Sequence, residues 1–187
     1  MRARALALGM RAFVAVELPD RGPGADGPRS APSHFTLRFL GEVPPDRVDG
    51  LVDRLRPVGR SVPPFDLEVD GVGAFPSPRS PRVVWRGVRT GRAEIVELAR
   101  RVRDALGEFV GREDEEEFVP HMTLFRVRSP SDRQAAIELL DGRRPTPPPV
   151  RTRVHEFVLK ESILGARGAV HRTIATFRLE GTPSGPP

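Results

Sequence analysis

Residues Ser33–Gly41, "SHFTLRFLG", place a histidine and a threonine two positions apart inside an otherwise apolar run. Apolar alternation of this kind is typical of a β-strand, in which residues i and i+2 lie on the same face, roughly 6.6 Å apart. His34 and Thr36 therefore share one face, and Phe35, Leu37 and Phe39 share the other. We expect the apolar face to pack into a core and the polar pair to line a surface or a cleft.

The pattern His-x-Thr-Leu occurs a second time in Pro120–Val127, "PHMTLFRV". His121 and Thr123 share a face by the same alternation, and Met122 and Leu124 face the other way. Two of the four histidines in the chain are used in this way. If each copy lies on the central strand of its own half, two facing halves place two imidazoles and two hydroxyls around one cleft. The repeat therefore predicts two similar halves.

Periodicity along the rest of the chain predicts seven strands and three helices. The strands are predicted at residues 11–18, 34–41, 65–72, 82–88, 121–127, 153–161 and 170–179. The helices are predicted at residues 46–55, 91–110 and 132–141. Short turns between neighbouring strands favour antiparallel pairing, so the predicted fold class is α+β. An acidic run at residues 113–117 is predicted to be a solvated loop without a function of its own.

The chain of 187 residues suits one domain, which the periodic pattern confines to residues 11–180, with flexible ends at 1–10 and 181–187. No apolar run approaches the ~20 residues that span a bilayer. Cysteine is absent, which excludes disulfides and thiolate metal sites. These features predict a cytoplasmic monomer that does not bind a membrane.

The formal net charge is +5, and Lys160 is the only lysine, so 29 of the 30 basic residues are arginine. The planar guanidinium group binds phosphate in a bidentate manner, which makes RNA a plausible partner. A GC-rich coding sequence also favours arginine. The positive charge alone therefore does not decide between RNA binding and the base composition of the gene as the cause of the arginine excess.

Two imidazoles and two hydroxyls in one cleft suit acid–base cleavage of a phosphodiester. Imidazole titrates near neutrality, so one neutral ring can take a proton while one protonated ring gives a proton to the leaving oxygen. A nucleotide 2′,3′-cyclic phosphate suits this chemistry best, because ring strain makes it reactive without a metal. A metal site is the alternative for paired histidines, but neither copy has a His-Glu-x-x-His pattern or a carboxylate at ligand spacing.

The paired motifs resemble the 2H phosphoesterase superfamily, since the first is followed by Phe-Leu-Gly and the second is preceded by Pro and followed by Arg-Val. Within it the chain is most similar to the RNA 2′,3′-cyclic phosphodiesterases, also called 2′-5′ RNA ligases (the LigT-like or ThpR-like group), from Arg11 to Leu179. The resemblance implies a bilobal α+β fold with two mainly antiparallel sheets, helices outside, a pseudo-two-fold axis and a central cleft. It also implies hydrolysis of RNA 2′,3′-cyclic phosphate ends, or of cyclic nucleotides, to 2′-phosphomonoesters without a metal or cofactor.

Roles for individual residues follow only from the resemblance, because the two motifs are nearly symmetric. His34 is expected to donate a proton to the departing 3′-oxygen, and His121 to accept one from the attacking water. Thr36 and Thr123 are expected to hold the phosphate oxygens.

Three further residues are expected to bind substrate. Arg126 would support the phosphate charge and Phe39 would offer a ring near the base or ribose, although strict alternation puts both opposite the motif histidines. A surface role is the alternative for Arg126, and core packing is the favoured alternative for Phe39. A bulge or a strong twist could bring them round. Arg38 shares the His34 face by alternation and is a further candidate for the phosphate.

Other features are interpreted as structural. His155 and His171 are predicted to have no catalytic role, although His171 and Thr173 repeat the spacing without the following leucine. Trp85 is predicted to lie in the core or between the lobes, with base stacking as the alternative. The segment 19–33, rich in glycine and proline, replaces a helix that family members usually carry beside the cleft.

Two alternative functions remain from the sequence. One is 2′-5′ ligation of tRNA halves, which is the reverse of the same chemistry in the same cleft. The other is an RNA-binding module without turnover, which the arginine content would support.

Overall fold

The computed structural model describes residues 9–19, 33–107, 118–165 and 168–182. It contains two four-stranded antiparallel sheets and three α-helices, which confirms the predicted α+β class. The strands are β1 (Met10–Glu17), β2 (His34–Val43), β3 (Phe65–Ser77), β4 (Ser80–Thr90), β5 (Met122–Arg126), β6 (Val150–Val154), β7 (Glu156–Gly165) and β8 (Gly168–Arg178). The helices are α1 (Val48–Ser61), α2 (Arg92–Leu106) and α3 (Pro130–Leu140), and none of these described helices is long and apolar enough to cross a membrane.

The two motif strands are edge strands. Sheet A has the order β2-β1-β7-β8, and sheet B has the order β5-β4-β3-β6. The expectation that each motif occupies a central strand is therefore wrong. Strand β1 is paired along both edges, and its residues 12–16 are all buried. The alternating polar residues of β2 suit an edge, and β2 contacts β5, so the two sheets meet along their motif strands.

The main core joins both sheets to helices α1 and α2. It contains Val14 and Phe157 of sheet A, Leu67 of sheet B, and Leu55 and Leu98 of the helices, all of them buried. Helix α2 contributes one apolar stripe because its buried residues recur at intervals of three and four. Truncation of one such leucine to alanine typically costs about 2–5 kcal/mol. The sheets are therefore held in a fixed relation by a shared core.

Sheet A has a second, separate set of buried residues on its other face. Phe13, Ala15 and Val158 form this small cluster, whereas the alternating β1 residues Val14 and Val16 belong to the main core. We call the Phe13 side the motif face of sheet A, because the ring of His34 packs there. In sheet B a smaller core of Val84, Ala136 and Leu139 lies under helix α3.

Several element boundaries differ from those predicted. The predicted strand at 153–161 is two strands, because the chain passes from sheet B to sheet A at His155, whose carbonyl accepts a hydrogen bond from the Leu179 N–H. Eight strands therefore replace the predicted seven. The predicted turn between β3 and β4 narrows to two residues, since both strands continue to Ser77 and Ser80.

Helix α1 continues past the predicted end at residue 55 to Ser61, with Pro57 inside it, because Val58 extends its buried stripe. Helix α2 ends at Leu106, and the last part of its predicted range lies outside the described residues. The acidic run, most of the 19–33 loop, and residues 1–8 and 183–187 also lie outside them.

Candidate active site

Both motifs contain a β-bulge at the same place. Between β1 and β2, Ala15 pairs with Thr36 and Val14 pairs with Arg38, so Leu37 is the extra residue. Between β4 and β5, Trp85 pairs with Thr123 and Val84 pairs with Phe125, so Leu124 is the extra residue. A bulge changes which side chains face which side for all residues that follow it.

The bulge at Leu37 reverses the alternation expected for the next two residues of β2. Phe39 lies opposite Phe13, their ring centroids are 6.1 Å apart, and 64% of Phe39 is exposed. Phe39 therefore lies on the motif face beside His34, not in the core. Arg38 lies opposite Val14 of the main core, so the register takes it off the face that strict alternation assigned to it.

The bulge at Leu124 has the same effect in sheet B. Arg126 lies opposite Val83, which in turn pairs with Phe75 on β3. The ring of Phe75 packs edge-on against His121, with 4.9 Å between centroids. Arg126 is exposed and lies on the same side of sheet B as Phe75 and His121. Strict alternation would place Arg126 and His121 on opposite sides, because they are five residues apart. We call this side the motif face of sheet B.

His121 lies directly before β5, and its ring has one defined hydrogen bond. Nδ1 lies 2.9 Å from the carbonyl oxygen of Val119, which can only accept, so Nδ1 carries the proton that is donated. In the neutral ring the other nitrogen, Nε2, then has a free lone pair. The local backbone thus prepares His121 to accept a proton.

An aromatic wall fixes the other side of the His121 ring. Trp85 lies 5.2 Å from Phe75 and 6.3 Å from His121, measured between ring centroids. A Cβ atom on Gly73 would overlap the indole, so only glycine lets Trp85 occupy this place. Trp85 is therefore part of the wall beside His121. The sequence alone does not predict this place for Trp85, because Gly73 is known to lie opposite Trp85 only once the strand register is known.

On sheet A, His34 is surrounded by rings. Its centroid lies 5.2 Å from that of Phe13 and 5.5 Å from that of His171, which meets it edge-on at 85°. Glu17 is the cross-strand partner of His34 at the end of β1. His34 thus lies at the start of its strand, against β1 and within reach of β8.

A buried lysine lies close to this cluster and was missed from the sequence. Lys160 of β7 is 6% exposed, and its Nζ donates to Glu17 Oε1 at 2.5 Å and to Thr173 Oγ1 at 3.1 Å. A single lysine in a chain so rich in arginine, inside an apolar strand, is the signal that could have identified it. His171, interpreted as structural, belongs to the same group of side chains.

The electrostatic environment keeps His34 neutral in the free protein. Burial, followed by the charges of His171 and Lys160, lowers the pKa of His34 to about 4, with Glu17 acting in the opposite direction. The charge of His121 makes the smallest contribution to lowering the pKa of His34. Burial and the charge of Lys160 lower the pKa of His171 as well. No group of three or more potential metal ligands occurs within the described ranges.

The sequence is similar to proteins of known family. A family model described as the 2′-5′ RNA ligase superfamily matches residues 16–163. A protein of Archaeoglobus fulgidus named RNA 2′,3′-cyclic phosphodiesterase is 33% identical over 182 residues, covering 90% of this chain and 99% of the relative. A protein of the same name from Methanothermobacter thermautotrophicus is 34% identical over 146 residues, covering 78% of each chain.

Solved structures resemble the whole fold. A crystal structure of a protein from Thermus thermophilus has a TM-score of 0.69 at 28% identity, covering 92% of this chain and 99% of that one. The crystal structure of E. coli LigT in complex with 3′-AMP has a TM-score of 0.67 at 27% identity, covering 91% of this chain and 98% of that one.

Proposed function

This chain belongs to the 2′-5′ RNA ligase superfamily, and on this premise we propose that it hydrolyses RNA 2′,3′-cyclic phosphate ends by acid–base catalysis with two histidines. The observation that carries the proposal is the meeting of two bulged His-x-Thr strands, β2 and β5, at the junction of two similar sheets. A binding module without turnover has no need for two histidine–threonine pairs on adjoining strands.

The reaction we propose is a direct displacement at phosphorus. His121 Nε2 takes a proton from water, and the water oxygen forms a new bond to phosphorus. The bond from phosphorus to the 3′-oxygen breaks, and His34 gives its proton to that oxygen. The product is a 2′-phosphomonoester with a free 3′-hydroxyl. His121 has gained one proton and His34 has lost one, and proton exchange with solvent restores both rings.

The direction of proton transfer is supported by the hydrogen bond at His121. Because Nδ1 donates to Val119, the neutral ring offers an unprotonated Nε2 to the water. His34, by contrast, has no backbone partner that fixes its tautomer among the described residues. The hydrogen bond is consistent with His121 as the base, and the assignment of the acid to His34 rests on the family resemblance.

His34 must gain a proton before it can act as the acid. Its pKa of about 4 in the free protein leaves it neutral near pH 7. A phosphate anion in the site favours the charged ring and raises that pKa. We therefore propose that the substrate itself brings His34 into its protonated form.

The other motif-face residues bind the substrate in this proposal. The hydroxyls of Thr36 and Thr123 donate to the two non-bridging oxygens, and the Arg126 guanidinium offsets the charge that develops on them. The exposed ring of Phe39 offers an apolar surface to the ribose or base. Arg38 contributes less than the sequence predicts, since the register pairs it with a core residue.

The decisive experiment uses a nucleoside 2′,3′-cyclic phosphate in the presence of EDTA, with product identification by ³¹P NMR. We expect a 2′-phosphomonoester, and we expect His34→Ala and His121→Ala each to lose about 10²–10⁴-fold in rate. His155→Ala, at the exposed crossing between the sheets, is the matched control and should retain wild-type activity. Full activity in either motif variant would refute the role assigned to that histidine.

Ligation is the second candidate, because the family name includes it and the same steps apply. If a 5′-hydroxyl replaces the attacking water, the product is a 2′-5′ phosphodiester. Incubating an RNA 2′,3′-cyclic phosphate with a 5′-hydroxyl RNA, and measuring the joined product against the hydrolysed end, decides which reaction dominates.

A further inference from the structure

Strand β8 carries a third His-x-Thr sequence, in residues 171–174, with the same backbone irregularity as the two motifs. Leu159 pairs with Ala175 and Lys160 pairs with Thr173, so Ile174 is the extra residue of a bulge. The extra residue again follows the threonine, as Leu37 and Leu124 do. Although the sequence lacks the leucine of the motif, the local geometry is that of the motif.

This third unit faces the same side of sheet A as the first. The ring of His171 lies 4.9 Å from Phe13 at 79°, and the ring of His34 lies 5.2 Å from the same phenylalanine. His171 and His34 also touch each other edge-on at 5.5 Å. Aromatic rings prefer such edge-to-face arrangements, which restrict how either ring can turn.

Two hydrogen bonds made by Lys160 connect β8 to β1 near the His34 and His171 rings. Lys160 Nζ bridges Thr173 and Glu17, and Glu17 is the cross-strand partner of His34. The two hydrogen bonds of Lys160 and the pairing of Glu17 with His34 therefore connect β8 to β2. His171 Nδ1 is buried and has no hydrogen-bond partner among the described residues, so local contacts do not fix the tautomer of this ring.

We propose that His171 is a positioning residue for His34: through its edge-on contacts its ring holds the His34 imidazole against Phe13. The part that concerns catalysis rests on the proposed function, since it assumes that His34 transfers a proton. His171 itself need not touch the reacting atoms.

The charges around His34 come from every element packed against it. Glu17 of β1 favours a protonated ring, whereas Lys160 of β7, His171 of β8 and His121 before β5 oppose it. Two imidazoles in contact cannot both be charged without repulsion, so the protons bind in two steps that belong to the pair. An incoming phosphate anion supplies the charge that lets the pair hold one proton.

The first test is an NMR titration of the histidine ring protons in the whole protein. In the wild type we expect the His34 and His171 resonances each to report two steps. In His171→Gln the ring charge is gone, so His34 should titrate in a single step at a higher pH. Unchanged, single-step titration of His34 in both proteins would overturn the proposal.

The second test separates ring packing from charge through kinetics on a cyclic nucleotide. His171→Phe keeps a ring against Phe13, and we expect its kcat to stay within about threefold of wild type. His171→Gln removes the ring, and we expect kcat to fall about tenfold or more, since misplacement of a catalytic group by about 1 Å can cost 10²-fold. Equal kcat in wild type, His171→Gln and the control His155→Gln would contradict a positioning role.

The two proposals fail in different ways. If the wild type does not hydrolyse cyclic phosphates, the proposed function is wrong, but the NMR titration still reports whether the two rings titrate together. If the wild type is active and His34 titrates independently of His171, only the positioning role is wrong. Should His171→Gln fail to fold, the two-step titration of the wild type alone remains the deciding measurement.

Discussion

Leu37 and Leu124 are each the extra residue of a β-bulge, at the same position of two motifs that lie on different sheets. Each bulge carries the residue five positions after the motif histidine onto the motif face. Phe39 reaches that face in sheet A, and Arg126 reaches it in sheet B. The two bulges therefore place a third residue beside the histidine and threonine on each motif face.

Arg126→Gln should reduce kcat/KM about 10- to 100-fold, because hydrogen bonds to charged groups contribute about 1.5–3 kcal/mol. The matched control is Arg82→Gln. Arg82 is also exposed and is adjacent to Val83, the partner of Arg126, but alternation turns it to the opposite face. Equal losses in both variants, measured by initial rates on a cyclic nucleotide, would mean that general charge and not the motif face is responsible.

Thr36→Val and Thr123→Val should each lower kcat more than they raise KM, because their hydroxyls stabilise charge that grows in the transition state. A loss of about tenfold or more in kcat is expected for each. Thr90→Val, at the exposed end of β4, should have no effect on either constant. A rise in KM alone would instead indicate that the threonines bind the ground state and the transition state equally.

The pH dependence of stability should reveal the buried His34. Its pKa is about 4 in the folded protein and 6.5 without the fold, so the unfolded chain binds more protons between these values. Stability is complete above pH 6.5 and is lost progressively as pH falls to 4, by about 2–3 kcal/mol. Urea unfolding at several pH values should show this slope in the wild type and a smaller slope in His34→Phe. Identical slopes would contradict the lowered pKa.

Gly73→Ala should displace the Trp85 indole, because the added Cβ would overlap it. The wall beside His121 would then move, and we expect kcat to fall about tenfold through misplacement of the base. Gly87→Ala is the control, since its Cβ would lie 3.5 Å from the same indole, an ordinary contact. Tryptophan fluorescence should change only in Gly73→Ala, and unchanged kcat there would argue against this wall.

The local alternation of the sequence was sufficient to predict the α+β class and to predict that the histidine and threonine of each motif lie on the same face of their strand. It could not predict the bulges, because a bulge depends on the partner strand and leaves no mark on the alternation of its own strand. Phe39, Arg38 and Arg126 were therefore placed on the wrong faces by strict alternation. The edge position of β2 and β5 was missed for the same reason, since strand order is a property of long-range pairing.

The group around His34 was harder to predict from the sequence. Glu17, Lys160 and His171 are far apart in the chain and meet only because β1 and β7 are central neighbours in sheet A. The spacing of His171 and Thr173 was visible, but without the leucine it looked like an ordinary strand. Only the register, with its extra residue at Ile174, relates it to the two motifs.

The most direct test of the account is the identity of the product formed from a nucleoside 2′,3′-cyclic phosphate in EDTA. Departure of the 3′-oxygen, protonated by His34 while His121 activates water, predicts a 2′-phosphomonoester as the sole product. It also predicts loss of that product in both His34→Ala and His121→Ala, and its retention in His155→Ala. Formation of a 3′-phosphomonoester, or undiminished turnover in either motif variant, would contradict the account.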